Sequence, residues 1–197
     1  FPVGFLEALP YIADANSKLA IIKMLKWSHE FNSIYYPNAP QFLNLDFLYL
    51  KPNFLLELAL LGSSDDEITR DLKSFSRYLE MVSYPGAGAR GGIKPDGVGF
   101  HHNSPHISYL YAYTIWINRA FELKGTPFKI STAAYNNMKL AIKSLFLETS
   151  NGLIFPHSAS GRSPFQASVP VNTTTVDRLV QVGGDLIGAS TEPDLAA

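Results

Sequence analysis

The sequence contains no cysteine, which excludes disulfide bonds, thiolate catalysis and thiolate metal sites. Charged residues make up only 17% of its 197 residues and the net charge is −1, so the strong positive charge typical of binding to nucleic acid or an acidic membrane is absent. No apolar run is long enough to span a bilayer, and the first residues lack the basic-then-apolar order of a signal peptide. These absences predict a soluble protein and leave its compartment open.

Apolar and aromatic residues are abundant, at 46% and 13%. They indicate a folded globular chain, and its length favours a single domain with a sizeable core. The 10 tyrosines and 13 phenylalanines fit either that core or a cleft that stacks on sugar rings, and burial in a core is the commoner use.

Apolar residues recur at helical spacing along nearly the whole chain, whereas strict alternation is almost absent, which predicts an all-α fold. Ser64 and Glu67 form a capping box before an amphipathic helix. Gly183 and Gly184 are expected to interrupt the last helix. Six helices, alternately amphipathic and very apolar, are typical of toroids and solenoids whose loops form a cleft at one end. The predicted helices span about 17–31, 53–61, 64–82, 105–123, 132–148 and 173–187.

Polar side chains suited to catalysis are more concentrated between Gly91 and Tyr113 than in any other part of the sequence. This stretch reads GGIKPDGVGFHHNSPHISYLYAY. Ser104 followed by Pro105 predicts a helix start, because serine caps free N–H groups and proline suits the first helical position. His102 would lie just outside that helix and Tyr109 about one turn inside it. The helix dipole there favours a phenolate and disfavours an imidazolium, an arrangement suited to proton transfer.

Other chemistries have weaker support in this stretch. His101, His102 and His106 could form a metal site, but no carboxylate or cysteine supports them and two are adjacent. The paired carboxylates of a glycosidase are poorly represented, since Asp96 lies alone in a Pro-Asp-Gly turn. Taken singly, a histidine before a helix, a tyrosine on a buried helix and Arg162 in a loop are all more often structural.

The ordered set of motifs resembles the catalytic domain of polysaccharide lyase family eight, the glycosaminoglycan lyases, and the chondroitin ABC type most of all. The set consists of GGIKPDGVGFHH, Tyr109, NNMKLAI at 136–142 and GRSPF at 161–165. In the family pattern a histidine, a tyrosine and an arginine follow Lys-Pro-Asp-Gly at set distances, which correspond here to His102, Tyr109 and Arg162. The resemblance extends from about residue 46 to residue 165.

The resemblance implies that residues 1–197 are part of an incomplete (α/α) toroid of about six helices within a longer chain. The enzyme would be a carbon–oxygen lyase that cleaves chondroitin sulfate, dermatan sulfate or hyaluronan by β-elimination, leaving an unsaturated uronate. A C-terminal β-sandwich with a further catalytic glutamate would lie outside this chain, so the chain alone is expected to be incomplete as an enzyme. No organic cofactor, nucleic-acid partner or membrane partner is implied, and dependence on a divalent cation stays open. The size of the acidic polysaccharide implies a secreted or periplasmic bacterial protein.

The resemblance also implies roles for the three residues. Tyr109 would donate a proton to the leaving oxygen, and would also remove the C5 proton if the elimination is syn. His102, when neutral, would be a second base or a ligand of the uronate carboxylate. Arg162 would stabilise the tyrosinate form of Tyr109 and contact the substrate, because a nearby positive charge lowers a phenol pKa.

His101 and Asn53 are the expected substrate-binding residues, with Asn44 as an alternative to Asn53 for neutralising the uronate carboxylate. Two other functions remain open at this point. One is a glycoside hydrolase on a similar toroid, which needs two carboxylates in its cleft. The other is a non-catalytic carbohydrate-binding helical domain, in which the histidine, tyrosine and arginine are structural.

Overall fold

Helices dominate the structure, a computed structural model, which confirms the all-α class. The closing of these helices into a toroid stays a prediction. No helix within the described part of the chain is long and apolar enough to cross a membrane. The structure describes residues 2–39, 43–105, 110–149 and 173–196. The α-helices are α1 (Pro2–Ala8), α2 (Ala15–Ser28), α3 (Pro52–Leu60), α4 (Asp65–Ser83), α5 (Leu110–Glu122), α6 (Thr132–Glu148), α7 (Thr173–Ile187) and α8 (Pro193–Ala196). Short 3₁₀ helices span Leu9–Tyr11, Phe31–Tyr35 and Leu45–Leu48.

Helix α5 lies at the centre of the fold. It packs against α3, α4, α7 and the 3₁₀ helix Leu45–Leu48. Trp116 and Ile117 are fully buried on it, and the Trp116 Nε1–H donates a hydrogen bond of 2.9 Å to the carbonyl of Leu79 in α4. A helix with apolar residues on nearly every side is stable only when surrounded, and α5 meets that expectation.

Helix α4 begins at the predicted capping box. The Ser64 hydroxyl accepts from the Glu67 N–H at 3.2 Å, while the Glu67 carboxylate accepts from both the N–H and the hydroxyl of Ser63, one residue earlier than in the usual box. The predicted apolar stripe faces the core, where Phe75 and Val82 have no exposed surface. The local signals therefore predicted both the start and the buried face of α4.

Helices α6 and α7 span the predicted residues, but the predicted interruption of α7 is wrong. The helix continues through Gly183 and Gly184. A Cβ atom at Gly183 would lie 2.3 Å from the Tyr135 hydroxyl oxygen of α6, and one at Gly184 would lie 2.6 Å from the Thr191 backbone nitrogen. These glycines allow close packing, which outweighs their low helix propensity of about 1 kcal/mol each.

A small antiparallel sheet, which the sequence pattern did not predict, lies between α4 and α5. Its strands are too short to show alternation. The predicted helix start at Ser104 and Pro105 is wrong, because these two residues pair with the preceding strand; proline, which has no N–H, suits this edge position. The strands are β1 (Gly92–Ile93), β2 (Gly99–His101) and β3 (Ser104–Pro105), in the order β1-β2-β3. Their register pairs Gly92 with Phe100, Ile93 with Gly99, Phe100 with Pro105 and His101 with Ser104.

Candidate active site

The Lys-Pro-Asp-Gly motif forms the turn between β1 and β2. The Gly97 N–H donates to the Lys94 carbonyl at 2.8 Å, and the Lys94 N–H donates to the Val98 carbonyl at 2.9 Å. The Asp96 carboxylate accepts from the Val98 N–H at 3.1 Å. This is a three-residue hairpin loop with glycine in the left-handed position, so Asp96 has the turn role predicted for it.

Gly97 allows the hairpin to pack directly against helix α6. Its φ of +89° lies in the left-handed region, and a Cβ atom there would lie 2.4 Å from Ser144 Oγ and 2.7 Å from the Leu140 carbonyl oxygen. The Ser144 hydroxyl also donates to the Asp96 carbonyl. Only glycine satisfies both the conformation and the contact, so the motif has a structural reason for its last residue.

Lys94 connects the hairpin to the glycine-rich segment before it. Its ammonium group donates to the carbonyl of Gly88 at 2.7 Å and to that of Arg90, and lies 4.3 Å from the centre of the Phe100 ring. Burial lowers the pKa of Lys94, and the nearby Asp96 carboxylate partly opposes this shift. The lysine therefore holds residues 88–90 beside the strand that carries the histidines.

The two-residue turn between β2 and β3 presents His102. His102 and Asn103 have φ values of +51° and +62°, and the flanking His101 and Ser104 are paired. Positive φ at both central residues is typical of a type I′ hairpin, whose twist matches that of the strands. Left-handed backbone is uncommon outside glycine, although asparagine and histidine adopt it more readily than most residues. Both turn side chains are exposed.

The two histidine rings lie face to face. Their centroids are 3.7 Å apart and their planes differ by 10°. His101 is buried, with 6% of its surface exposed, and its Nε2 lies 3.7 Å from the Asp46 carboxylate. A buried imidazole thus lies between a carboxylate and the exposed imidazole of His102.

A cavity of about 250 Å³ opens beside this pair of rings. Its lining includes one guanidinium, that of Arg90, and the two side-chain amides of Asn44 and Asn103, and no carboxylate-bearing residue is part of its described lining. These are groups that bind an anion rather than a cation. The lining residues are Leu43, Asn44, Ala89, Arg90, Gly91, Phe100, His101, His102 and Asn103.

A second cavity, of about 330 Å³, shares Arg90 with the first. It adds a second guanidinium, that of Arg77, and the exposed ring of Tyr84. Its one acidic residue, Glu80, accepts a hydrogen bond of 2.7 Å from the Ser131 N–H. The lining residues are Pro37, Asn38, Ala39, Arg77, Glu80, Met81, Tyr84, Pro85 and Arg90.

A larger groove of about 590 Å³ lies near the carboxyl end of α5. Its lining is mainly apolar, and none of the predicted site residues within the described ranges contributes to it. Size alone therefore does not identify the site, whose position follows from the polar groups around His102. The lining residues are Leu56, Glu57, Leu60, Leu72, Arg119, Glu122, Leu123, Thr126, Pro127 and Phe128.

The structure brings some of the predicted site residues together. His101 and His102 line the same cavity, and so does Asn44, the alternative carboxylate ligand. Asn53 is the second residue of α3 and is not among the lining residues described for that cavity. The Asn44 side-chain oxygen accepts from the Asp46 N–H at 2.8 Å, which leaves its amide N–H₂ as a donor.

Tyr109, Arg162 and His106 lie outside the described residues, so their places in the site stay predictions. The described ranges contain no cluster of three or more histidine, cysteine, aspartate or glutamate residues that could hold a metal ion. The rings of His101 and His102 are stacked face to face, whereas two histidine ligands of one metal ion each direct a ring nitrogen at the same point.

Three residues of this region were not among the predicted site residues. Arg90 stands directly before the GGIKPDGVGFHH motif, and that position was the one signal that could have identified it. Arg77 reaches the site from an amphipathic helix, and Asp46 from a 3₁₀ helix distant in sequence. Only the packing of those elements reveals their proximity.

Comparisons with known proteins identify the family of the chain and two of its relatives. The chain is similar to the chondroitin sulfate ABC endolyase of Proteus vulgaris, with 26% identity over 161 residues, or 79% of this chain and 16% of that protein. It is also similar to the chondroitin sulfate ABC exolyase of Bacteroides thetaiotaomicron, with 26% identity over 165 residues, or 83% of this chain and 16% of that protein. The chain thus spans about a sixth of the length of these relatives.

Residues 10–197, nearly the whole chain, match the family described as "Lyase, catalytic". This match includes all the motifs on which the resemblance to polysaccharide lyase family eight rests, and it confirms that resemblance. The chain belongs to the lyase catalytic family.

Proposed function

We propose that the chain is part of the catalytic domain of a polysaccharide lyase that cleaves chondroitin sulfate, dermatan sulfate or hyaluronan by β-elimination. The observation that carries the proposal is the place of His102. In a chain of the lyase catalytic family, it lies exposed at a left-handed turn and at the edge of a cavity that Asn44 and Arg90 also line. Strained backbone of this kind costs about 1–3 kcal/mol and is concentrated at functional sites.

The reaction needs a neutralised carboxylate and two proton transfers. The C5 proton of a uronate lies α to the carboxylate and becomes acidic only when hydrogen-bond donors or positive charge stabilise the enolate-like intermediate. Asn44 offers its amide N–H₂ for this purpose, and the Arg90 guanidinium lines the same cavity. His102 then acts as a base for C5 or as a further ligand of the carboxylate.

Tyr109 donates the proton to the 4-linked leaving oxygen, and Arg162 stabilises its tyrosinate form. These roles rest on the family pattern. The C5 electrons form the new double bond to C4 as the C4–O bond breaks, and the leaving oxygen takes the proton from the tyrosine. Each well-placed acid or base contributes roughly 10²–10⁴-fold to the rate.

The two cavities support an acidic polymer as substrate. They share Arg90, and the second adds Arg77, so a repeating anion could contact both guanidinium groups along one path. The exposed ring of Tyr84 offers an apolar face of the kind that stacks on sugar rings. The names of the two relatives, both chondroitin sulfate ABC lyases, support the same class of substrate.

The remaining parts of the proposal concern the longer polypeptide. Residues 1–197 form a section of an (α/α) toroid, and a C-terminal β-sandwich supplies a further catalytic glutamate. Because such polymers are too large to cross a membrane unaided, the enzyme acts outside the cytoplasm, in the periplasm or the surrounding medium. This chain covers only about a sixth of the length of each relative, which supports a longer enzyme.

The test is the near-ultraviolet absorbance of the conjugated uronate, measured while the complete polypeptide that contains this chain is incubated with each of the three polymers. We expect absorbance to rise with the wild type and to stay flat with the Tyr109→Phe variant. Asp66→Asn, a change at an exposed residue of the first turn of α4, is the control for general effects of substitution.

Three outcomes contradict parts of the proposal. A folded Tyr109→Phe enzyme with normal activity removes the tyrosine from proton transfer. Saturated products with new reducing ends indicate a glycoside hydrolase, although no carboxylate-bearing residue is part of the described lining of the cavity beside His102. Binding of the polymer without turnover indicates a carbohydrate-binding domain.

A further inference from the structure

A buried imidazole and a carboxylate lie behind the exposed imidazole of His102. The ring of His101 stacks on that of His102 with a centroid distance of 3.7 Å. The Nε2 atom, at the edge of the His101 ring, lies 3.7 Å from the Asp46 carboxylate. The three side chains therefore form a row that leads from the 3₁₀ helix Leu45–Leu48 to the cavity edge.

The first member of this row is held by its surroundings. Asp46 lies in the first turn of the 3₁₀ helix, and its N–H is capped by the Asn44 side chain at 2.8 Å. The backbone before it contacts the hairpin closely, since a Cβ atom at Gly91 would lie 2.8 Å from the Leu43 carbonyl oxygen. The distance between the helix that carries Asp46 and the strands that carry the histidines is therefore set by backbone contact.

The last member of the row needs such support. His102 is exposed at the tip of a two-residue turn, where a side chain is ordinarily free to occupy several rotamers. A parallel ring at 3.7 Å restricts that freedom, because other side-chain rotamers of His102 would lose the contact between the two ring faces. His101 can provide this surface because it is itself buried.

We propose that His101 and Asp46 are positioning residues for His102: the stacked ring of His101, held by the Asp46 carboxylate, keeps the His102 imidazole in its reactive orientation. This inference rests on the proposed function, and it replaces the direct substrate contact predicted for His101. A displacement of about 1 Å in a reacting group can cost about 10²-fold in rate. Loss of the ring should therefore lower kcat more than it changes KM.

The kinetic test uses the complete polypeptide and whichever of the three polymers gives the unsaturated product. We expect His101→Ala to lower kcat by about ten- to a hundredfold with KM within about twofold, whereas His101→Phe, which keeps a stacking ring, retains most of the activity. Asp46→Asn should lower kcat by a smaller factor, and Asp66→Asn should not lower it. A loss confined to KM, or a His101→Phe enzyme as impaired as His101→Ala, overturns the proposal.

A second measurement does not depend on turnover. In protein with selectively labelled histidine, the ring-proton signal of His102, identified by its loss in His102→Gln, should be shifted upfield by the stacked ring. His101→Ala removes the His101 signal and should move the His102 signal downfield while the signals of the other three histidines stay in place. His101→Phe should keep the His102 signal upfield. A signal that does not move in His101→Ala overturns the stack even if the enzyme is active. Observation of the shift without any unsaturated product instead refutes only the proposed function.

Discussion

Replacing Gly97 by alanine tests whether the Lys-Pro-Asp-Gly hairpin is seated on α6 as the structure describes. The substitution has two costs. Left-handed backbone at φ +89° costs an alanine about 1–2 kcal/mol, of which about 0.4–1 kcal/mol is offset by the lower entropy of the unfolded chain. The new Cβ also overlaps Ser144 Oγ at 2.4 Å and the Leu140 carbonyl oxygen at 2.7 Å, and overpacking of this kind costs about 1–3 kcal/mol.

Gly88 provides a matched control for the first cost. Its φ is +57°, and a Cβ atom there meets nothing within 4 Å. Gly88→Ala should therefore lower the free energy of unfolding by about 1 kcal/mol or less, and Gly97→Ala by about 2–4 kcal/mol. The measurement is urea-induced unfolding followed by circular dichroism at neutral pH, with equal slopes required for comparison.

A double variant separates the two overlaps at Gly97. Ser144→Ala removes the side-chain oxygen, but the Leu140 carbonyl belongs to the backbone of α6 and cannot move aside. Gly97→Ala should therefore remain more destabilising than Gly88→Ala even when each is measured in the Ser144→Ala background. Equal losses for Gly97→Ala and Gly88→Ala in the wild-type background would refute the packing of the hairpin on α6.

Three further predictions concern other regions. Asp71 has no exposed surface and accepts from Tyr35 and Arg70, so Asp71→Ala should lower the free energy of unfolding by about 3 kcal/mol, and a loss below 1 kcal/mol would contradict its burial. Hydrogen bonds from Ser63 lower the pKa of the Glu67 carboxyl to about 2. The ionised carboxylate therefore stabilises the folded state fully above pH 4.5, and this stabilisation is lost as the pH falls towards 2. The free energy of unfolding, measured across that range, should depend less on pH in Ser63→Ala than in the wild type. In the complete enzyme, Arg77→Gln should raise KM for the polymer about two- to fivefold, whereas its exposed neighbour Lys73→Gln should leave KM unchanged; equal effects would exclude the Arg77 cavity from binding.

The helices could be predicted because their signals are local. The capping box at Ser64, the stripe behind it and the limits of α6 each depend on residues within a few turns of one another. The roles of Gly183 and of Ser104–Pro105 could not be predicted in this way. At Gly183 a contact with α6 outweighs propensity, and at Ser104–Pro105 pairing with β2 outweighs a helix-start signal.

For the site, the order of motifs was enough to identify the lyase family, while the roles of His102, Tyr109 and Arg162 stay predictions. Order along the chain carries no information about which side chains face one another. The stacking of the two histidines depends on a turn with positive φ at His102 and Asn103, and no simple residue pattern predicts that turn without a glycine.

By itself, then, the sequence determined the helical class, most helix limits and the family, since each depends on local spacing or on motif order. Only the tertiary structure decided which elements meet at the cavity. Asp46 from a 3₁₀ helix and Arg90 from the glycine-rich segment lie beside the histidines, and Arg77 from α4 lines the neighbouring cavity that shares Arg90. A buried α5 and a closely packed hairpin bring these elements together. Contacts between residues so far apart in sequence depend on how whole elements pack, which local spacing does not encode.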